Sequence, residues 1–534
     1  MMGIIFCAFY LVLFSIIILK SPLFHLPGLK NWYTIAAFAL KLGFGTLLWY
    51  IYAYHYNNRY TSDIFKYYDD GKMIYQCVHS NFSDFVKMFT GIGDSDPHIQ
   101  AYYHQMNSWL NDHDSNLYNN SHFIIRLNTF FMFLSGGNYG VHVIFMCFIS
   151  LVGLSYLYKA FYPYLTDKPK ELFFALFLFP SVLLWGSGIL KEGLVFLGLG
   201  LTLYFYLKAL NKQGSLLKNS LMVLLGFILL FEAKAYVLLC IIPALKSEFL
   251  IKKVRTCANH PWLTNIGFTG LYLLVGLNLN VFFPKLNPLQ MMSDKQRDLN
   301  RMVRGGIYLE VQGKDSGMYA RLDVQDSTAI IPANAYADSL LHHGGIPYIT
   351  SSAFCYKEQV TGVIAPFRLK KDTHYELIRL RQGDTLHPYA DDFTLYRLDI
   401  YTQPANSKVD IAPIEPTILS LVKHIPAALA VALIRPLPGE KVSSGMVKIY
   451  MAENLAVLLL IALALLCYKR KPEHQNIMAL CLSYSLLMLV LIGLATPLYG
   501  GIERYKSVVI PFMLILLLLI YDKEKLKRIL KLKK

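Results

Sequence analysis

Charged residues are scarce in this chain: 16% of its 534 residues are Asp, Glu, Lys or Arg, against 55% hydrophobic and 14% aromatic. Soluble domains carry about 25% charged residues. The shortfall excludes an ordinary cytosolic enzyme, and a disordered chain is excluded because disorder needs low hydrophobicity. Of 8 cysteines, Cys7, Cys147, Cys240, Cys467 and Cys481 lie in apolar segments and Cys257 in a basic loop. Only Cys77 and Cys355 remain as a candidate pair, so a disulfide scaffold is excluded as well. CxxC, HExxH, a Walker loop and GxGxxG are all missing, which removes support for a zinc protease, an ATPase or a dinucleotide enzyme, and for ATP-driven transport by this chain alone. His342 and His343 have no third ligand at metal spacing. Internal repeats and low-complexity runs are also lacking.

What the chain does have is apolar sequence, with a mean hydropathy of +0.39. A helix crossing about 30 Å of hydrocarbon needs roughly 20 apolar residues. Stretches near that length occur at 3–19, 34–54, 140–157, 172–185, 194–207, 221–231, 237–245, 263–283, 446–467, 477–495 and 508–521, about eleven in all, several of them short. The first has the length of a signal peptide but neither a basic residue before it nor a small-residue cleavage site after it, and reads as an uncleaved anchor. A net charge of +16 would point to nucleic acid in a soluble protein. Here the cations sit between apolar segments, so nucleic acid is not an expected partner.

Basic loops stay on the cytoplasmic side. The tail KEKLKRILKLKK, Lys469 to Lys471, Lys246 to Arg255, Lys208 to Lys218, Lys159 to Lys170, and Lys20 with Lys30 all fall on one side, provided that 221–245 forms two short helices meeting at FEAKAY. A single 25-residue helix there would reverse everything before it. Two long polar segments then lie outside. Segment 55–121 is acidic, and 284–416 shows period-2 alternation at Ile378 and Leu380 and at Tyr396, Leu398 and Ile400, as short strands do. The expected fold is an all-α polytopic membrane protein of about 11 transmembrane helices with a small, β-rich extracytoplasmic insert. Its regions are 1–283, the insert 284–416, and 417–534, which opens on an apolar interfacial helix at 417–434 ended by RPLPGE. The expected location is a cytoplasmic (inner) membrane, multi-pass, with the C-terminus inside.

Ionisable groups at the edges of apolar segments are costly unless they face a cavity or a partner. Lys191 and Glu192 follow FPSVLLWGSGIL; Glu232 and Lys234 lie in FEAKAY; Lys448 and Glu453 enter one late helix, and Glu503 and Arg504 precede the last. The topology places these pairs at the outer face with Asp63, Asp69 and Asp70, where opposite charges around a polar cavity could hold an anionic phosphate beside a carboxylate base. Plainer readings stand beside this one. Lys191 and Glu192 could start a helix, Glu232 and Lys234 form a structural turn, Arg435 and Arg504 anchor lipid headgroups, and Asp69 and Asp70 be solvated loop residues.

Several of these residues fall into short motifs. Asp63 with Tyr67, Tyr68 and Gly71; Pro180, Ser181, Trp185, Ser187, Gly188, Lys191 and Glu192; Arg435, Pro436 and Pro438 with Glu453 and Asn454; and Arg504 with Tyr505 together resemble elements of polytopic membrane glycosyltransferases and related polysaccharide polymerases. The resemblance covers the membrane part and leaves out 284–416. It implies a C-type glycosyltransferase fold, a polyprenyl-linked sugar donor and catalysis at the outer face in cell-envelope polysaccharide synthesis. It further implies Asp63 as catalytic residue with Glu192, and Asp69, Asp70, Lys191, Glu232, Lys234, Arg435, Glu453, Arg504 and Tyr505 as substrate-binding. The family often has adjacent acidic residues directly after the first helix, whereas Asp63 stands alone here, so which of the three aspartates acts stays open. The cofactor is unknown, with a divalent cation one candidate. Three functions remain open: sugar transfer from a polyprenyl phosphate, polymerisation or ligation of lipid-linked oligosaccharides, and non-enzymatic glycan transport or assembly.

Overall fold

A computed structural model describes residues 2–56, 59, 62–103, 105–109, 121–284, 286–311, 319–322, 330–332, 363–369, 375–379, 395–401, 405, 407–440, 444–470 and 472–531. Cys355, His342 and His343 lie outside them. The chain is a bundle of apolar helices, and among the described residues seven are long and apolar enough to cross a membrane: Gly3–Lys20, Trp32–His55, Tyr139–Tyr164, Lys191–Leu210, Leu216–Lys253, Gly445–Leu466 and Gln475–Ala495. Three shorter apolar helices, Pro261–Leu277, Ile418–Ile434 and Ile510–Ile520, accompany them. The protein is membrane-embedded.

Helices α1 (Met2–Lys20) and α2 (Trp32–Tyr50) lead to α3 (Asp63–Ser80), α4 (Phe82–Thr90), α5 (Pro97–Tyr103) and α6 (Ser121–Ser135), then to α7 (Tyr139–Phe161). The acidic segment between the apolar stretches is therefore largely helical. Its apolar faces, Ile64, Phe65, Tyr68 and Ile74 of α3 and Ile124, Ile125 and Met132 of α6, are buried. The stretch read as one segment at 172–185 is instead broken into α8 (Pro169–Phe173), a π-helical turn Phe174–Leu178, and α9 (Pro180–Trp185), with Phe179 extended between them. Pro180 explains the break, since a residue before proline is pushed out of the helical region. Helix α10 (Lys191–Leu210) packs closely on α7. A Cβ at Gly153 would come within 2.3 Å of the Phe196 carbonyl carbon, so only glycine permits this approach.

Helix α11 (Leu216–Lys253) is one 38-residue element interrupted at Lys234, whose φ of −156° and ψ of 85° are not helical. Its halves lie side by side. Lys234 Nζ reaches Glu192 at the start of α10, at 2.6 Å, while Lys252 Nζ reaches Asn211 just past the end of α10, at 2.7 Å. Ser215, which caps α11, is only four residues from Asn211, so the first half runs back along α10 and the second returns. The turn falls within FEAKAY.

After α12 (Arg255–Asn259), α13 (Pro261–Leu277) and α14 (Pro288–Arg304), six strands form one antiparallel sheet, β1 (Gly306–Val311), β2 (Tyr319–Leu322), β3 (Ile330–Pro332), β4 (Val363–Leu369), β5 (Tyr375–Arg379) and β6 (Leu395–Tyr401). Their order is β3-β4-β6-β1-β2-β5, with Gly306 opposite Tyr401 and Val311 opposite Tyr396. The chain then passes through α15 (Ile418–Leu429), α16 (Gly445–Leu466), α17 (Gln475–Ala495), α18 (Tyr499–Lys506), α19 (Ile510–Ile520) and α20 (Lys523–Lys531). Stems of the insert hold this last part in place. Gln296 of α14 donates to Ala412 O and Leu494 O at 3.0 and 2.7 Å, and Tyr499 N donates to Ser407 O at 2.9 Å.

Candidate functional site

Four elements bring charge to one end of the bundle. Asp63 lies in the first turn of α3, and Lys191 and Glu192 begin α10 behind the extended residue Leu190. Acidic side chains at helix N-termini are stabilised by the exposed backbone N–H groups. Lys234 is presented by the interruption of α11, and Arg504 sits in the last turn of α18.

Arg504 Nη1 donates to Asp63 Oδ2 at 2.5 Å and Nε donates to Glu192 Oε1 at 2.7 Å; Lys234 Nζ shares that same Glu192 oxygen at 2.6 Å. Two carboxylates and two cations thus form one balanced quartet. Aromatic faces enclose it: Lys234 Nζ stands 4.3 Å from the Tyr505 ring centre, and Lys191 Nζ stands 5.3 Å from that of Tyr67. Cation–π contact is a favourable way to hold an ammonium out of water. Lys191 also donates to Ser121 Oγ at 3.2 Å. The quartet is closed apart from one side, since the side chains of Glu192, Lys234 and Arg504 are 0, 4 and 14% exposed whereas that of Asp63 is 33% exposed. Glu192 keeps one oxygen, Oε2, without a donor among the described residues. Burial alone would push the Asp63 carboxyl up, but the neighbouring cations Arg504, Lys66 and Lys191 together outweigh it and hold the group at about 2.

The structure therefore gathers Asp63, Lys191, Glu192, Lys234, Arg504 and Tyr505. It gives Asp69, Asp70, Arg435 and Glu453 other partners. Asp69 forms a two-pronged pair with Arg59, at 2.7 and 2.5 Å. Asp70 is buried and accepts the backbone N–H groups of Asn107 and Ser108, at 2.8 and 2.7 Å, which makes it an anchor for the chain after α5. Burial pushes Asp70 up to about 6 while those two donors pull it down. Arg435 is engaged by Glu440 at 2.9 and 3.0 Å, and Tyr499 OH donates to the same carboxylate at 2.7 Å. Glu453 lies with Glu503 and Lys506 in a separate buried cluster. Glu232 is half-buried, two residues before Lys234.

Three further residues with structural or site roles were not anticipated. Glu440 was quoted within RPLPGE, and a carboxylate five residues from Arg435 across two prolines was a legible sign of a pair. Tyr67 belonged to the tyrosine motif with no assigned role. Lys41 is fully buried in α2 and donates to Gly186 O at 3.0 Å, closing the end of α9. An ionisable residue inside an apolar helix is itself a signal of such a role. Among the described residues, no group of three or more His, Cys, Asp or Glu could hold a metal ion. A cavity of about 370 Å³ lies elsewhere, near Lys170, Leu463, Leu517 and Tyr521. No protein-family model, curated protein or solved structure matches the chain.

Proposed function

We propose that the protein is a membrane glycosyltransferase that takes a sugar from a polyprenyl-phosphate carrier at the outer face of the cytoplasmic membrane, in the synthesis of a cell-envelope polysaccharide or glycoconjugate. The quartet of Asp63, Arg504, Glu192 and Lys234 carries this reading. Departing phosphate accumulates negative charge, and preorganised cations stabilise it most in a site shielded from water. Arg504 and Lys234 are such cations. Asp63 is the carboxylate best placed to accept a proton from an acceptor hydroxyl, being the member of the quartet open to solvent. With Arg504 on it, Asp63 is a weak base; phosphate binding to Arg504 would draw that cation away and raise its proton affinity.

The orientation belongs to the same proposal. Hydrogen bonds tie the basic turns together at the end of the bundle opposite the quartet: Lys159 to Pro22 O, Lys168 to Leu518 O and Tyr521 O, Asn476 to Glu248, and Lys252 to Asn211. Taking that end as cytoplasmic follows the distribution of Lys and Arg, and adding to the seven long helices the second half of α11, the shorter helix α13 and the broken stretches α8–α9 and α18–α19 as crossings gives about eleven passes. The quartet is then extracytoplasmic.

Polymerisation or ligation of lipid-linked oligosaccharides is the second reading, and it would need arginines, Arg435 or Arg504, on a diphosphate. The pairing of Arg435 with Glu440 and its separation from the quartet favour the first. The test is mass spectrometry of polyprenyl-linked glycans in cells carrying Asp63→Asn. Loss of one sugar from the glycans, with unused polyprenyl-phosphate sugar accumulating, is expected, and Arg504→Gln should reproduce it. Complete repeat units piling up on the lipid would move the assignment to a polymerase or ligase. An unchanged spectrum in the Asp63→Asn, Glu192→Gln double variant would sink both enzyme readings in favour of transport or assembly.

A further inference from the structure

Beside the quartet, α9, α16 and α18 enclose a second polar spot for which that reading has no use. Glu453 of α16 and Glu503 of α18 are 7 and 0% exposed and interact electrostatically. Lys506 Nζ donates to Glu503 Oε1 at 2.5 Å and to Asn454 Oδ1, and Asn454 Nδ2 donates to Arg435 O at 2.7 Å. Lys506, the one ammonium in the spot among the described residues, is therefore taken up on one oxygen of Glu503. Two buried oxygens in the spot, Glu453 Oε1 and Glu503 Oε2, have no hydrogen-bond partner among the described residues, and Ser181, in the first turn of α9, sets its hydroxyl and its backbone N–H against the Glu453 carboxyl. Tyr450 of α16 is the further titratable group facing the pair. Arg435 is engaged by Glu440, and Arg504 by Asp63 and Glu192.

Two carboxylates and one ammonium leave a surplus negative charge inside an apolar bundle. A buried carboxylate in that position takes up a proton instead of staying charged, and two carboxylates that repel each other hold it as a pair. A hard metal ion fits poorly, since it seeks six or more oxygens and Lys506 already occupies the cation's place on Glu503. We propose that Glu453 and Glu503 form a proton-binding site, with one proton held by the pair at neutral pH and the Ser181 hydroxyl completing its hydrogen bonding. Glu503 is the neighbour of Arg504 on α18, so the proton also keeps α18 seated against α9 and α16, from where Arg504 reaches Asp63 and Glu192.

Infrared difference spectroscopy of the full chain in liposomes, in light and heavy water at neutral pH, reads the proton directly through the carbonyl stretch of an un-ionised carboxyl group. Glu453→Gln, which keeps the shape and charge of the protonated acid, should remove one such band, while Glu440→Gln should leave the band in place. Glu453→Asp should retain it at a shifted position, and Lys506→Met, which removes the ammonium, should add a second. A spectrum in which Glu453→Gln and Glu503→Gln each remove only ionised-carboxylate bands would overturn the proposal. So would a band that disappears when sodium replaces choline in the buffer, because the occupant would then be a metal cation.

Discussion

Asp63 and Asp70 show how one residue type is given different work by its neighbours. Both stand in α3, Asp63 at its start and Asp70 two turns on. Asp63 faces a guanidinium and is held at about 2; Asp70 faces backbone N–H groups in a buried spot and is raised to about 6. Glu440, held down to about 2 by the fork of Arg435, follows Asp63. A depressed carboxylate contributes stability above its ordinary value, 3.8 for Asp and 4.5 for Glu, and that contribution is lost as pH falls toward the folded value. A raised one has the opposite sign, so Asp70 contributes most below 3.8 and loses it as pH rises through about 6. Thermal melts in detergent should therefore lose stability from pH 4.5 down to 2. Asp63→Asn and Glu440→Gln should each make that acid limb shallower, and equal slopes in wild type and both variants would refute the assignment. Among these carboxyls the sequence distinguished little. Asp69 and Asp70 are adjacent, yet only the fold decides that one pairs with Arg59 and the other holds a loop.

At the scale of elements, the folded-back α11 decides most. A straight helix of 38 residues would extend about 57 Å at 1.5 Å per residue, well beyond a bilayer. The requirement that the basic loops share one side already demanded a turn in FEAKAY, and the structure places it at Lys234. The reason is local. Lys234 gives up helical geometry where its ammonium can reach Glu192 and the face of Tyr505, so the break is stabilised by the charge it delivers. Cysteines introduced at Asn211 and Lys252 should be joined efficiently by a short bifunctional thiol reagent, in a background lacking the native cysteines. Failure to join them would mean that α11 runs straight. Other boundaries were less legible. The proline of FPSVLLW carried the sign of a break, but the apolar run around it masked that sign. Helix α3 escaped notice because the polar residues of 55–121 suggested a loop, although its buried Ile64, Tyr67, Gly71 and Ile74 recur at helical spacing.

Across the whole molecule, charge is sorted by end: Lys and Arg of the connecting turns gather at one, the quartet and the stems of the insert at the other. Because Tyr499 N is held by Ser407 O, the return from the sheet fixes the start of the short helix carrying Arg504. That links the insert to the quartet mechanically. The orientation proposed from this sorting is open to a direct check. A fluorescent protein fused after Lys534 should fluoresce and an alkaline phosphatase fused there should be inactive, whereas the phosphatase joined within the insert should be active. The reverse pattern would turn the molecule over and put the quartet in the cytoplasm.

What the sequence determined by itself is the solvent and the order of the segments. Twenty-residue apolar runs have a stable home only in hydrocarbon, and cations between them divide the loops into two sets, because both effects depend on composition over a window and not on partners. The tertiary structure alone decided which charges meet. Asp63 and Arg504 are 441 residues apart, and Glu192 and Arg504 are 312 apart. No periodicity encodes such a pairing. It follows from helices of differing tilt and breakage ending at one level, where a buried charge is tolerated only beside its opposite.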